Sequence, residues 1–331
     1  MPLGRTNRRT FIAALGGAAA WPLVARGQQQ GVPVVGFLSS LSAQELTFVI
    51  PAFHEGLTAT GYVEKQNIAT EYHWADGHYE RLPALAVDLI RSQPVVLAAI
   101  SGTPAALAAK AATATIPIVF AIGGDPVAAG LVANLSRPGG NVTGVSWSSV
   151  EVVTKRLEVA RELAPRGATI GVFINPDNPP SVTEGRTLRA AAADLGQSIE
   201  IVNAATEAEI GDAFAAVMQR KIGALIVSSD PLFFIARKML VDLTARYALP
   251  TVFADREQAE AGGLISYGAS RREAYRQAGN YVGRVVKGEK PGDLPVVLPT
   301  KFTLLINRKT AKALNLEIPA SLLARADEVI E

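Results

Sequence analysis

The stretch AAISGTPAALAAKAAT, residues 98–113, joins a buried strand to a helix and guides the interpretation of the whole chain. An apolar run ends at Ser101-Gly102-Thr103-Pro104, and an alanine-rich helical segment starts at once. Proline suits the first turn of a helix, and Thr103 is a typical capping residue. The free N–H groups and the dipole at a helix start attract an anion such as a carboxylate. We therefore predict that this helix presents its N-terminus to a ligand.

Short apolar runs alternate with helical stretches along the chain, a pattern typical of parallel βαβ units. In the first half, strands are predicted at 32–39, 67–72, 94–100, 116–122 and 141–147, with helices near 44–60, 79–92 and 104–113. In the second half, strands are predicted at 168–174, 198–202, 222–228, 249–254 and 262–268. The two halves therefore repeat one architecture.

This repeat predicts an α/β protein of two Rossmann-like lobes with parallel sheets and a hinge. The predicted lobes are residues 28–147 together with 268–331, and residues 148–267. The tail offers one long helix, the segment LPVVLPTKFTLLIN and a short helix from Arg308, which is too little for a core of its own. Crossings near 142–150 and 266–270 would leave a ligand cleft that closes by hinge motion.

The first residues have the layout of an export signal. Arg8-Arg9 is followed by an apolar stretch, and a small-residue site precedes Gln28. The apolar stretch is short for a membrane span. The paired arginines in NRRTFI resemble the twin-arginine signal, and an ordinary basic signal region is the alternative. We predict export through residues 1–27 and a periplasmic mature chain that does not span a membrane.

Composition and motifs exclude several classes of protein. The 331 residues contain no cysteine, so disulfides, thiolate zinc sites and cysteine nucleophiles are absent. Residues 1–27 hold four of the 32 basic side chains and none of the 30 acidic ones, so the mature chain has no basic surplus for nucleic acid. No nucleophile elbow, phosphate loop or dinucleotide motif occurs. We predict no catalytic residue and no cofactor.

Small hydroxyl, amide and aspartate side chains recur after the strands of both halves, where ligands bind in open parallel sheets. Ser101 and Thr103 supply hydroxyl donors, and three aspartates could receive an ammonium group: Asp125, Asp230 and Asp255. This chemistry suits a small zwitterion. The same residue types also cap helices and form turns, so each position alone stays ambiguous.

Other candidates have two interpretations each. Three aromatic side chains could stack on a planar ligand or pack between helix and sheet: Trp74, Tyr79 and Trp147. Of Phe233 and Phe234, we expect one in the cleft wall and one in the core, and we assign Phe233 to the ligand. Arg237 and the pair Arg271-Arg272 could hold an acidic ligand, but we favour their interpretation as exposed helix charges. In EYHWADGHYERLP, the side chains of His73, Asp76 and His78 could form a metal cluster, but we favour a polar strand-to-helix loop with no metal site.

Several segments together resemble the periplasmic substrate-binding proteins of ABC transporters, in the subfamily related to tryptophan- and tyrosine-binding proteins. They are SGTPAALAAKAAT, IPIVFAIGGDPVAAGLVANLSRPGGNVTGVS, KRLEVARELAP, INPDNP and ISYG. The resemblance covers nearly the whole mature chain. It implies a Venus-flytrap fold, closure on a small organic solute, delivery to an ABC permease in the inner membrane, and no catalysis. After the TG of NVTG, the segment VSWSSVEVVTKR departs from the amino-acid binders. The resemblance therefore suggests an aromatic amino acid or a related carboxylate as the ligand, without assigning it.

The resemblance places the ligand near Ser40, Ser101, Gly102, Thr103, Asp125, Asn178, Asp230 and Tyr267. The predicted ligand-binding set also includes three residues chosen for their positions after strands or near a crossing: Trp147, Phe233 and Asp255. We expect a monomeric receptor. The alternatives are a periplasmic sensing receptor and a cofactor-free racemase or lyase on a similar two-lobed plan. Two-lobed racemases commonly use facing cysteines, which this chain lacks.

Overall fold

A computed structural model of the protein describes residues 31–147 and 150–331. The predicted export signal, residues 1–27, lies outside the described residues. Within the described part, the first sheet has five parallel strands in the order β2-β1-β3-β4-β5. The strands are β1 (Val34–Ser39), β2 (Ala69–Trp74), β3 (Val96–Ile100), β4 (Ile118–Ile122) and β5 (Val142–Ser146). The helices between them are α1 (Val49–Thr58), α2 (Leu82–Arg91) and α3 (Thr103–Ala112).

The second sheet has seven strands among the described residues, in the order β12-β11-β10-β9-β8-β6-β7. They are β6 (Ile170–Ile174), β7 (Ile199–Asn203), β8 (Ala224–Val227), β9 (Thr251–Phe253), β10 (Ile265–Ala269), β11 (Phe302–Asn307) and β12 (Glu328–Ile330). The remaining helices are α4 (Val150–Leu163), α5 (Pro179–Asp194), α6 (Glu207–Gln219), α7 (Pro231–Ile235), α8 (Arg237–Arg246), α9 (Arg256–Glu260), α10 (Arg271–Val286), α11 (Arg308–Ala313) and α12 (Ala320–Arg325). The predicted α/β class with two mostly parallel sheets is confirmed.

Both sheets are covered by helices on their two faces, which explains why their strands read as apolar runs. Every residue of β3, β4 and β5 is buried. Phe37 and Phe120 belong to cores on opposite faces of the first sheet. Val172 and Phe173 do the same in the second sheet. We call the first sheet with α1–α3 and α10 the first lobe, and the second sheet with the other helices the second lobe.

The tail divides between the lobes in a way that differs from the predicted boundary, which gave all of 268–331 to the first lobe. Helix α10 packs on α1, and Val297 still pairs with the edge of β5. The chain then crosses a third time, and β11 pairs antiparallel with β10 while β12 runs parallel to β11. The physical reason is the edge of β10, which β11 covers so that its backbone groups are paired.

Helices α1 and α10 touch backbone to backbone, which ties the tail helix to the first lobe. A Cβ atom on Gly279 would lie 1.9 Å from the carbonyl oxygen of Phe53, and one on Gly56 would lie 1.9 Å from that of Arg276. No side chain fits at either position without moving the helices apart. The approach therefore depends on glycine in both helices.

We expect Gly279→Ala to lower the free energy of unfolding by about 1–3 kcal/mol, because the added methyl overpacks this contact. Gly211→Ala in α6 is the matched control, since the nearest atom outside its own helix lies 3.9 Å from the built Cβ. The control should be neutral or stabilising by up to about 1 kcal/mol, because alanine is the better helix former. Urea unfolding of both variants measures the difference. Equal stability would contradict the close approach.

Candidate functional site

The start of α3 is an uncapped helix N-terminus. The helix begins at Thr103, its N-cap residue is Gly102, and no side chain makes a capping hydrogen bond there. The prediction that Thr103 caps the helix is therefore wrong, because Thr103 already lies in the first turn. A Cβ on Gly102 would come within 3.0 Å of both the Ser40 Oγ and the Pro231 Cγ, so only glycine allows this approach between α3 and α7. The helix start of the first lobe thus faces the second lobe.

Asp230 follows β8 and faces the start of α3 from the second lobe. Its Oδ1 accepts hydrogen bonds from the Leu232 N–H at 2.8 Å, the Asn175 Nδ2 at 3.2 Å and the Tyr79 Oη at 3.3 Å. Its Oδ2 accepts from the Asn178 Nδ2 at 2.6 Å. All four donors are neutral, although the side chain is only 3% exposed. Burial raises the pKa of Asp230 above its ordinary value, against the lowering effect of the two asparagines.

Three buried polar atoms at this place have no hydrogen-bond partner within the described part of the chain. They are the Ser40 Oγ, the Asn178 Oδ1 and the Arg271 Nε. Most buried polar groups in proteins are paired, because an unpaired one loses its hydration without compensation. The three atoms comprise one acceptor, one donor and one hydroxyl that can act as either. Together they are the polar complement of a small molecule with both donors and acceptors.

Arg271 is buried, so its interpretation as an exposed helix charge is wrong. Its Nη1 donates to the Asp255 Oδ2 at 3.2 Å, and its Nη2 donates to the Tyr275 Oη at 3.1 Å. The guanidinium carbon lies 4.1 Å from the ring centroid of Phe234 and 5.1 Å from that of Trp147. Burial lowers the pKa of Arg271, but Tyr275 and Asp255 raise it more, so the side chain stays charged.

A buried ion pair supports the loop of Asp230. Arg156 Nη1 donates to the Glu184 Oε1 at 2.6 Å, and both side chains are at most 5% exposed. The other carboxylate oxygen of Glu184 accepts from the Ser229 N–H at 3.2 Å. Burial raises the pKa of Glu184, and Arg156 opposes that rise. The pair thus anchors the residue next to Asp230.

Six of the predicted site residues line one small cavity, which we call the cleft cavity. They are Ser101, Gly102, Thr103, Trp147, Asn178 and Asp230. Trp147 is 6% exposed, and its Nε1 donates to the Ser229 Oγ at 3.4 Å. The cavity has a volume of about 10 Å³, barely enough for one water molecule. The Ser40 Oγ lies beside it, next to Gly102.

Two larger cavities adjoin the cleft cavity. An apolar cavity of about 190 Å³ shares Gly123 and Pro180 with it and is bounded by Leu135, Val153 and Leu298. We call this the side cavity. A hinge cavity of about 470 Å³ shares Trp147 with the cleft cavity. It is lined by parts of all three crossings, in the ranges 145–147, 266–270 and 297–301.

Four predicted site residues lie outside the cleft cavity. Asp125 is exposed and lines the side cavity, and its Oδ1 caps a turn by accepting from two backbone N–H groups, at 2.8 and 3.1 Å. Phe233 lies in the core of the second lobe with Phe173, and Phe234 faces the first lobe instead. Asp255 is neutralised by Arg271. Tyr267 packs near the Phe302 ring, because alternation along β10 turns it away from Ser266, which lines the hinge cavity.

Sequence reasoning considered Tyr79 only as a stacking ring, and it left Asn175, Arg271 and Tyr275 out of the predicted site. A signal existed for the last two. Arg271 follows β10 directly, so the strand-end rule applies to it as well, and the four-residue spacing puts Tyr275 on the same helix face. Trp74 packs with Phe37 in the core of the first lobe.

The EYHWADGHYERLP loop forms separate local pairs. His73 Nε2 lies 3.0 Å from the Glu71 Oε1, and His78 Nδ1 lies 3.2 Å from the Glu80 Oε1. Among the described residues, no group of three or more potential ligands could hold a metal ion. None of the helices in the described ranges is long and apolar enough to cross a membrane.

Three contacts join the lobes on the side of the cleft away from the crossings. Arg237 Nη1 donates to the Glu45 Oε2, and the pair is partly exposed. The rings of Phe48 and Phe234 lie 6.0 Å apart. The bond from Tyr79 to Asp230 is the third contact. The lobes are therefore closed on each other in this structure.

Comparison with known proteins agrees with this architecture. The family model for ABC transporter substrate binding proteins matches residues 8–330. A tyrosine-binding protein of Clostridioides difficile (strain R20291) is 29% identical over 266 residues, which are 80% of this chain and 76% of that protein.

Two solved structures are similar as well. An ABC domain from Streptococcus pneumonia in complex with L-Trp has a TM-score of 0.83 and 28% identity, covering 91% of this chain and 100% of that one. The ligand-free, open structure of a substrate binding protein with adhesive properties from Clostridium difficile has a TM-score of 0.66 and 26% identity, covering 91% and 99%. This chain belongs to the family of ABC transporter substrate binding proteins, the two-lobed receptors that capture a small solute by hinge closure and deliver it to a permease.

Proposed function

We propose that this receptor binds an amino acid whose ammonium group contacts Asp230 and Asn178 and whose carboxylate contacts the start of α3. The observation that supports this most directly is the buried carboxylate of Asp230, which has four neutral donors and no paired cation among the described residues. An ammonium group would supply the missing positive charge. The unpaired Asn178 Oδ1 would accept a second of its three hydrogens.

The carboxylate would bind at the N-terminus of α3. Helix starts favour anions because their first N–H groups are free and the helix dipole is positive there. The absence of a capping side chain leaves this helix start for a ligand. Ser40 and Ser101 would add hydroxyl donors, and the Ser40 Oγ has no partner among the described residues.

The side chain of the ligand would occupy the side cavity. That cavity meets the cleft cavity at Gly123 and Pro180 and is walled largely by apolar side chains. The names of the two relatives that bind tyrosine and L-Trp support an aromatic side chain. The hinge cavity is larger, but two charged side chains that line it already have partners. Arg256 is paired with Glu328, and Glu273 is paired with Arg276. We therefore favour the cleft, where buried polar atoms are unpaired.

Entry of this ligand requires the lobes to separate, because the cleft cavity holds about 10 Å³ in the closed arrangement. The higher TM-score with the L-Trp complex than with the open, ligand-free relative supports the closed state. We propose that the three crossings are the hinge, and that the ligand leaves unchanged, as expected for a receptor without catalysis. The mature chain would act in the periplasm as a monomer.

The substitution Asp230→Asn tests the ammonium site. Asparagine keeps the N-cap of α7, so folding should be preserved. Loss of the charged partner should weaken binding of L-tryptophan or L-tyrosine at least about tenfold, since hydrogen bonds to charged groups contribute about 1.5–3 kcal/mol. Titration calorimetry on protein refolded to remove retained ligand gives the affinities.

Asp177→Asn is the matched control for Asp230→Asn, because Asp177 is exposed in a neighbouring loop. It should leave affinity unchanged. Binding of neither amino acid by the wild type would contradict the aromatic ligand. Equal affinities for wild type and Asp230→Asn would contradict the role of Asp230.

The contact of Glu45 with Arg237 predicts an effect on release. Glu45→Gln should speed ligand dissociation by up to about fivefold, because a partly exposed ion pair contributes at most about 1 kcal/mol to the closed state. Asp242→Asn, which breaks the exposed pair with Lys238 on the same helix, is the control. Stopped-flow fluorescence measures both rates. Identical rates in Glu45→Gln and wild type would show that this pair does not hold the lobes closed.

The export route is tested by a double substitution, Arg8→Lys with Arg9→Lys. Lysine keeps the positive charge that an ordinary signal needs but lacks the planar guanidinium. We expect the full-length chain to stay in the cytoplasm, whereas Arg5→Lys should be exported as before. Cell fractionation and immunoblotting measure the distribution. Normal export of the double variant would indicate the general route instead.

A further inference from the structure

Ser101 holds a backbone conformation that non-glycine residues rarely adopt. Its φ is +67°, in the left-handed region, and the residue is fully buried between β3 and α3. Such conformations persist when surrounding contacts enforce them, and they cluster at functional sites. Ser101 lines the cleft cavity, directly before the uncapped start of α3. The contacts of its hydroxyl therefore bear on what the cavity can bind.

The Ser101 Oγ lies 3.1 Å from the Tyr275 Oη, deep in the first lobe. Tyr275 is fully buried, and burial raises the pKa of its phenol above its ordinary value, so the phenol keeps its hydrogen. The same oxygen receives a hydrogen bond from the Arg271 Nη2 at 3.1 Å. Arginine has donors only, so the Tyr275 oxygen must be the acceptor in that bond.

The direction of the remaining bond follows from this. Within the described part of the chain, the Ser101 Oγ is the one acceptor bonded to the Tyr275 Oη. If Ser101 were the donor instead, the phenol hydrogen would be buried without a partner, which is unfavourable. Tyr275 therefore donates and Ser101 accepts. The hydrogen of Ser101 is then free to point into the cleft cavity, which Ser101 lines and Tyr275 does not.

The chain of hydrogen bonds starts in the second lobe. Asp255, after β9, accepts from the Arg271 Nη1 at 3.2 Å, and both side chains are at most 3% exposed. The stack of Arg271 on Phe234 limits its rotation. The order of donors is thus set from Arg271 through Tyr275 to Ser101.

We propose that Arg271 and Tyr275 are positioning residues that fix the Ser101 hydroxyl as a donor toward the cleft, and so select a carboxylate over its uncharged carboxamide. This inference rests on the proposed ligand site at the start of α3. A carboxylate oxygen accepts from the Ser101 hydroxyl. A carboxamide that turns its NH₂ toward Ser101 meets a second donor and loses that hydrogen bond.

The substitution Tyr275→Phe tests the proposal. It leaves the Ser101 hydroxyl free to rotate and to accept, so discrimination should fall. The probes are L-tryptophan with L-tryptophanamide and L-tyrosine with L-tyrosinamide, and the readout is the ratio of the two Kd values in each pair. We expect the wild type to prefer the acid and the ratio to drop by about twofold to tenfold in Tyr275→Phe, the size of one hydrogen bond between neutral groups.

Tyr281→Phe is the matched control on the same helix, because its Oη donates to the Pro295 carbonyl at 2.7 Å and not to the cleft. It should keep the wild-type ratio. Ser101→Gly, which removes the hydroxyl and tolerates the positive φ, should lower the ratio as much as Tyr275→Phe. The double variant should lower it no further. Thermal unfolding checks that each variant folds.

The possible failures are distinct. If the wild type binds neither amino acid, the proposed ligand is wrong and this inference falls with it. If the wild type binds the acids and Tyr275→Phe keeps the wild-type ratio, the ligand class stands and the positioning role is wrong. A wild type that binds acid and amide equally well would also overturn the positioning role.

Discussion

Arg271 carries a positive charge into a site where its side chain is 3% exposed, and the electrostatics of the cleft depend on how that charge is compensated. Asp255 neutralises it, Tyr275 accepts one of its hydrogens, and the faces of Phe234 and Trp147 flank it. Burying a charge is unfavourable unless it is paired and hydrogen-bonded in this way. Removing either partner of such a pair lowers the stability of the fold by more than the net contribution of the pair, because the other charge is left buried and unpaired.

Among the described residues that line the cleft cavity, Asp230 is the one carboxylate, and no cation is paired with it. Glu184 is paired with Arg156, and Asp255 with Arg271, so neither adds to the net charge of the site. A zwitterion would therefore find a full negative charge for its ammonium group but no free cation for its carboxylate. The carboxylate would depend on the partial positive charge at the start of α3 and on hydroxyl donors. In such a site, the direction of one serine hydrogen bond bears on which ligand is accepted.

Two of the contacts between the lobes are individually weak, whereas the ion pair of Arg271 with Asp255 is buried. A partly exposed ion pair contributes about 0–1 kcal/mol, and an aromatic pair adds about 0.5–1.5 kcal/mol beyond its buried area. Glu45 with Arg237 and Phe48 with Phe234 belong to these classes. Contacts of this size add little to the closed state, and a ligand that binds across both lobes shifts the balance toward it. A receptor that must release its solute to a permease benefits from a closed state that is not held too firmly.

The sequence predicted the strands and much of the cleft for the same physical reason. Parallel strands covered on both faces are continuous apolar runs, and the residues that follow them meet at one edge of each sheet. Ser101 and Asp230 were found by that rule and line one cavity. Phe233 lies in the core of the second lobe and Phe234 faces the first lobe, which is the reverse of the predicted assignment. The sequence does not show how the five-residue helix α7 is rotated about its axis. The burial of Arg271 depends on the second lobe covering the start of α10, a long-range contact that helical periodicity does not encode.

The third crossing changes how the hinge can move. Three covalent connections constrain the relative motion of the lobes more than two would. Val297 pairs with β5 immediately before the chain leaves for β11, so the third crossing starts from a fixed position. The hinge cavity lies among all three crossings and gives their side chains room to move when the lobes open. Trp147 touches both this cavity and the cleft cavity, and its indole lies against Arg271. Trp147 therefore connects the crossings to the ion pair of Arg271 with Asp255 in the cleft.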